Sequence, residues 1–288
     1  MLFIPDNSLR INNTITTPKR KNEMHKFLIR AASGIVYAAI IILALCYGGW
    51  AIWLLAAAFA VIGIIELDRM QIGISDKTLP IFLLDIFGVL SLLGIATNRY
   101  SVILWFGLMI IRFILARKIE KNSDGALKIP SYGQVYLGIP FAFMIADPSG
   151  MLPLFVFAML WLNDSGAYIV GSLAGRHKMS PKISPKKTWE GFFGGVAFTL
   201  VGVLILYFIR PQLFGYYLPR LAMSLLLAVS TCFFGTLGDL LESKIKRSCG
   251  FKDSGNWIPG HGGLLDRIDS FLIAYPVAFL LMFFCYEF

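Results

Sequence analysis

The sequence predicts an all-α fold, a polytopic helical membrane protein, and three observations predict it. Of its 288 residues, 57% are hydrophobic and only 15% charged, whereas a soluble domain carries roughly 25% charged residues. The apolar residues fall in long runs separated by short polar breaks, at the length a bilayer requires. The Lys and Arg residues, 26 against 17 acids, gather in every second break, as the positive-inside rule demands of a membrane topology. A soluble globule, a disordered chain and a collagen-like fibre are excluded by the same composition. A net charge of +9 on so apolar a chain does not describe a nucleic-acid binder, and no nucleic acid is expected among its partners.

Taken in order, residues 1–26 are a basic leader carrying Arg10, Lys19, Arg20, Lys21 and Lys26. It is expected to be disordered, and it lacks the apolar core and cleavage site of a signal peptide. Met24, followed at once by His-Lys-Phe-Leu-Ile-Arg, is an alternative start. The membrane domain occupies 27–288. Within it the apolar runs predict about nine transmembrane helices, near 31–47, 50–66, 79–97, 101–117, 132–147, 152–173, 191–209, 221–242 and 267–286. Several are only just long enough to cross a hydrocarbon core, which takes about 17–20 residues. Tyr47-Gly48-Gly49-Trp50 joins the first two as a tight hairpin with interfacial aromatics. Cys46, Cys232, Cys249 and Cys285 form neither a CxxC pair nor a Cys/His cluster, so they read as small buried hydrophobes. With the N-terminus cytoplasmic, only Arg99, Arg210 and Arg220 fall on the far side of the membrane.

Two cytoplasmic breaks, 174–190 and 243–269, carry more chemistry than a connector needs. The second gathers Lys246, Arg247, Lys252, Asp253, His261, Asp266, Arg267 and Asp269 around a glycine turn, just beyond Asp239 and Glu242. Asp266 and Asp269, three apart, share a helical face at the membrane boundary. With Asp239 at the end of the preceding helix they make an all-oxygen set suited to Mg²⁺, with room for a second cation. The competing reading is that each Asp only pairs with Lys246, Arg247 or Arg267 to cap a helix end. Gly260-His261-Gly262-Gly263 offers backbone amides that can approach a phosphate just before a helix N-terminus. His261 alone is more often a structural hydrogen-bonder than a catalyst.

The first break, with Ser184, Lys186, Lys187, Thr188, Trp189 and Glu190, admits two readings of equal weight. It is either topology-setting charge or a pocket in which the lysines meet phosphates and Trp189 stacks on a base. Asp164 lies inside an apolar helix, where a charge costs about 2.5–3.5 kcal/mol, so it is a site candidate. Asp85 has the same status with less support, since it can simply bond another helix. Together these features point to phosphoryl or nucleotidyl transfer at the cytoplasmic face of the membrane.

The run Ser243-x-Ile245-Lys246-Arg247, Lys252-Asp253-x-Gly255, Ile258-Pro259-x-His261-Gly262-Gly263-Leu264-x-Asp266-Arg267-Ile268-Asp269 resembles the signature of the phosphatidate cytidylyltransferase family, the CDP-diacylglycerol synthases. The segments 184–191, 163–168 and 237–239 also resemble motifs of that family. The resemblance implies transfer of a cytidylyl group from CTP to phosphatidate, giving CDP-diacylglycerol and pyrophosphate with Mg²⁺ as cofactor. It further implies a multi-pass enzyme of the bacterial cytoplasmic (inner) membrane, a homodimer whose site faces the cytoplasm.

On this reading Asp239, Asp266 and Asp269 hold metal, while Lys246, Arg247, Lys252 and Arg267 offset charge on the pyrophosphate. Lys186, Lys187 and Thr188 hold the nucleotide, Trp189 and Glu190 shape the base pocket, and Asp164 belongs to the polar cleft. Three rivals fit less well. The CDP-alcohol phosphatidyltransferases need a wider spacing of their last two Asp residues, and a CTP-dependent polyprenol kinase should lack the Lys-Asp and His-Gly-Gly run. A transporter commonly shows two related halves, and no internal repeat is visible here.

Overall fold

Every apolar run becomes a helix. The structure, a computed structural model, describes residues 17–73, 75, 77–95, 98, 100–122, 132–147, 149–214, 220–260 and 262–286. Among them the helices are α1 (Thr17–Tyr47), α2 (Trp50–Gln71), α3 (Leu79–Gly94), α4 (Ser101–Asn122), α5 (Gly133–Ala146), α6 (Met151–Ala174), α7 (Trp189–Ile209), α8 (Leu221–Ser248) and α9 (Leu265–Tyr286). By length and composition, six of the described helices can cross a membrane: α2, α6, α7, α8, Leu28–Tyr47 of α1 and Leu265–Phe284 of α9. Of the other three, α3 and α5 are 16 and 14 residues long, short of the roughly 20 a span takes. The remaining one, α4, carries Arg112, Arg117, Lys118 and Glu120. The molecule is an all-α, multi-pass membrane protein. Ile35, Leu43, Ile103 and Phe208 stand exposed on its flanks, as lipid contact requires.

Three boundaries differ from the sequence expectation, those of α2 and α8 for a physical reason. The helix of α1 begins at Thr17, so residues 17–26 of the expected disordered leader are helical; residues 1–16 lie outside the described set. At its far end α2 runs five residues past 66, because Leu67 and Met70 are buried and extend its core face. The extension of α8 to Ser248 puts Ser243, Lys246 and Arg247 on helix where a loop was expected. The two cations in its last turn favour that extension through the helix dipole.

Segment 174–190 is also more than a connector. It holds an antiparallel hairpin of β1 (Lys178–Ser180) and β2 (Ser184–Thr188), with Lys178 paired to Thr188. At the end of the hairpin Thr188 caps α7, its Oγ1 accepting from Gly191 N at 3.2 Å.

An aromatic column fixes the centre of the molecule. Phe157 of α6 stacks on Phe271 of α9 with ring centroids 4.1 Å apart, and Phe271 stacks on Tyr275 at 4.8 Å. Against this column α8 and α9 lie unusually close. A Cβ on Gly238 would stand 2.5 Å from the Asp269 carbonyl oxygen, so only glycine permits the contact that brings Asp239 beside the start of α9.

Contacts at the two ends show which element ends lie together. At one end Ser33 Oγ of α1 donates to Pro259 O at 3.0 Å, Gln71 meets the Tyr132 hydroxyl, and Lys187 pairs with Asp239. At the other end the turn at Gly150 packs on the Leu45 carbonyl.

Asp85 bonds its neighbours, as one of its two readings had it. It pairs with Arg112 of α4 and accepts from Gln134 Nε2 of α5 at 2.7 Å. Trp105 Nε1 completes that network, donating to Gln134 Oε1 at 3.0 Å. Cys46, Cys232 and Cys249 are free thiols; Cys285 has no described side chain.

Candidate active site

Two adjoining cavities open between α1, the hairpin and helices α6 to α9. The first, about 390 Å³, is lined by Asn163 and Asp164 of α6, Lys178 of β1, and Lys186, Lys187 and Thr188 of β2. The second, about 310 Å³, is lined by Tyr37 of α1, Asp164, Asp239 of α8, and Asp266, Arg267 and Asp269 of α9. Asp164 and Ser270 belong to both walls. A cationic lobe therefore adjoins an acidic lobe, with Asp164 at their junction.

Ion pairs join the lobes. Lys187 Nζ lies 2.6 Å from Asp239 Oδ2, tying the hairpin to α8. Asp239 Oδ1 also accepts from Ser243 Oγ one helical turn on, at 3.2 Å. Lys246, 8% exposed, stands between Glu242 Oε2 at 2.5 Å and Asp266 Oδ1 at 2.6 Å. Asp266 Oδ2 accepts from the backbone amides of Ser254 and Gly263, each at 3.0 Å. Asp269 is buried, and its Oδ1 accepts from Ser270 N at 2.6 Å.

The four acids of the second lobe offer only carboxylate oxygen, the donor chemistry of a hard cation such as Mg²⁺. Among the described residues no three His, Cys, Asp or Glu side chains converge on one metal position. The ammonium groups of Lys187 and Lys246 lie on Asp239 and Asp266, marking where positive charge is favoured. The set offers the donor chemistry of such a cation but, among the described residues, no converged ligand geometry.

Other candidates take different places. Arg247 donates from Nη1 to Phe251 O at 2.9 Å, closing the end of α8. Lys252 and Asp253 are exposed and line neither lobe, and Ser184 starts β2 outside both. Trp189 is half-exposed, set against Phe192 and Phe193 of its own helix. Glu190 accepts from the Arg176 and His177 amides and pairs with His177 Nδ1 at 2.5 Å, so it braces the entry to the hairpin. His261 lies outside the described residues.

The glycine turn serves a different purpose from the phosphate cradle anticipated for it. Gly262 N donates to Ile258 O at 3.2 Å, and Gly263 N to Asp266. The next two amides, of Leu264 and Leu265, donate to the Glu66 carboxylate of α2 at 2.9 and 2.8 Å. The donors at the start of α9 are thus taken by the protein's own acids. Sequence reasoning missed Glu66, although an acid near the end of the apolar run 50–66 carries the same signal that singled out Asp85 and Asp164. Tyr37 and Trp161, also on the second lobe, had no such signal, being aromatic residues in apolar helices.

Residues 28–285 match the model of the Cytidylyltransferase family. Similar proteins include the phosphatidate cytidylyltransferases of Staphylococcus epidermidis, 35% identical over 268 residues, and of Staphylococcus haemolyticus, 37% identical over 268 residues. That of Staphylococcus aureus is 34% identical over 269 residues. Each alignment covers 88% of this chain and 98% of the relative.

Proposed function

The chain belongs to the cytidylyltransferase family, and from that premise we propose that its two adjoining lobes are where the two substrates meet. The reaction is transfer of a cytidylyl group from CTP to phosphatidate, giving CDP-diacylglycerol and pyrophosphate for phospholipid synthesis. A phosphatidate oxygen attacks the α-phosphorus of CTP, and the α–β anhydride bond breaks. The nucleophile is already anionic at neutral pH, so no strong general base is needed; the barrier is repulsion between two polyanions.

Lys178, Lys186 and Lys187 in the first lobe take the triphosphate, with Thr188 beside them at the α7 N-terminus. Asp239, Asp266 and Asp269 would hold Mg²⁺, with a second cation in the same lobe. When bound, the metal supplies neutralisation of phosphate charge. Arg267, on the wall of that lobe, offsets charge on the phosphates from the protein side. Lys246 acts on Asp266, which it holds against the signature loop.

One observation carries the reading: Asp164 and Ser270 are walls of both lobes, so a nucleotide in one adjoins an acceptor in the other. The lipid enters from the bilayer with its headgroup at the cytoplasmic face. Nine spans with the N-terminus inside are supported by the one-sided cations. The setting is the bacterial inner membrane, and the enzyme is a homodimer.

The test is detergent-solubilised enzyme given labelled CTP and phosphatidate with and without Mg²⁺. Label in a chloroform-soluble liponucleotide, dependent on the metal, is the expected result. Label only in a phosphorylated prenol, or a rate indifferent to chelation, would overturn it.

A further inference from the structure

Glu66 is a buried acid of α2 that the reaction leaves unexplained. Its side chain is 1% exposed, it lines neither lobe, and it accepts three hydrogen bonds. Oε1 takes the Leu264 amide at 2.9 Å, while Oε2 takes the Leu265 amide and the Ser254 hydroxyl, each at 2.8 Å. Two of these donors are free amides at the start of α9, where a carboxylate is favoured by both hydrogen bonding and the helix dipole. The third links onward, because Ser254 N donates to Asp266 and Asp266 N donates back to Ser254 Oγ at 3.3 Å. From Asp266 the chain of contacts continues to Lys246 and Glu242.

The loop is shaped around this carboxylate. A Cβ on Gly255 would stand 2.4 Å from Glu66 Oε1. On Gly263 it would stand 2.6 Å from Glu66 Oε2 and 1.9 Å from Ser254 Oγ. Neither position tolerates a side chain while Glu66 keeps its place. These two glycines admit an acid of the protein to the α9 N-terminus.

We infer that Glu66 is a positioning residue for the cytidylyl transfer. Its carboxyl group, through the Leu264 and Leu265 amides and the Ser254 hydroxyl, fixes the start of α9, and with it the directions of Asp266 and Asp269. The inference rests on the assignment of those two acids to the catalytic centre. Because Glu66 touches neither lobe, its loss should lower the rate at saturating substrate and leave nucleotide affinity in place.

The experiment compares full-length, detergent-purified Glu66→Gln, Glu66→Asp, Ser254→Ala and Asp269→Asn with the parent. Turnover is measured across a range of CTP, and amide exchange is followed by mass spectrometry over residues 254–266. Glu66→Gln keeps the shape but offers an amide group to donors, and each lost charge-assisted bond should cost roughly tenfold in kcat. The KM for CTP should stay within about twofold, and the Leu264 and Leu265 amides should exchange faster while α6 and α7 do not. Glu66→Asp should recover part of the rate. Should Glu66→Gln fail to fold, Ser254→Ala decides, with a loss of roughly threefold or more expected in kcat.

Parental kcat in the folded Glu66→Gln enzyme, or unchanged exchange at 264–265, would overturn the inference. So would a kcat loss matched by faster exchange throughout α6 and α7. Parental turnover in Asp269→Asn would instead sink the catalytic assignment beneath it, so the two failures are distinguishable.

Discussion

Asp239 and Asp269 sit on adjoining helices at the Gly238 contact, and both line the acidic lobe. Replacing either with Asn keeps the size but removes a charge and turns one acceptor oxygen into a donor. Turnover in Asp239→Asn and Asp269→Asn should fall by about 100-fold or more, with the protein still inserted and folded. Near-parental formation of CDP-diacylglycerol by both would remove the metal assignment. Lys187 is a different case, being on the wall of the cationic lobe and paired to Asp239. Lys187→Ala should raise the KM for CTP by roughly tenfold, and an unchanged CTP dependence would return the hairpin to a topological role. These acids were legible in the sequence because a charge in an apolar run stands out against its neighbours. Roles among the cations were less legible. Arg247 and Lys246 are adjacent in sequence, yet one closes a helix end and the other is buried between two acids. Helical phase decides between them, and the sequence reading had placed both in a loop.

At the scale of elements, each of the nine expected apolar runs coincides with a described helix, and six of them have the length and polarity that bilayer crossing imposes. Hydropathy failed where polar residues belong to structure. The hairpin at 178–188 is too short to show alternation, and the end of α8 is too charged to read as helix. The α8–α9 contact was visible only as the motif Leu237-Gly238-Asp239, with no hint of why glycine is required. The structure supplies the reason, a carbonyl oxygen 2.5 Å from where a Cβ would stand. Gly238→Val should therefore force the helices apart, costing about 1–3 kcal/mol of stability. A lower melting temperature together with lost turnover is expected; a fully active, equally stable variant would show that the two helices need no such contact.

For the whole molecule, the proposed topology puts the hairpin and the segment 210–213 on opposite sides of the membrane. In a chain with its four cysteines replaced, Lys182→Cys should react with an impermeant maleimide only in inside-out vesicles. Gln212→Cys should react only in right-side-out ones, and labelling of both from one face would overturn the nine-span reading. The site itself is assembled from distant parts of the chain. Ser33 reaches Pro259 across 226 positions, Tyr37 reaches the Arg267 carbonyl across 230, and Glu66 reaches its three donors across 188 to 199. At roughly 5–20 residues per second of synthesis, Glu66 is made about 10–40 s before the amides that hold it. For that interval α2 holds an acid whose final partners do not yet exist. The loop at 254–267 is thus held by α1 and α2, and a ribosome that stops short of α9 releases a protein in which these contacts do not form.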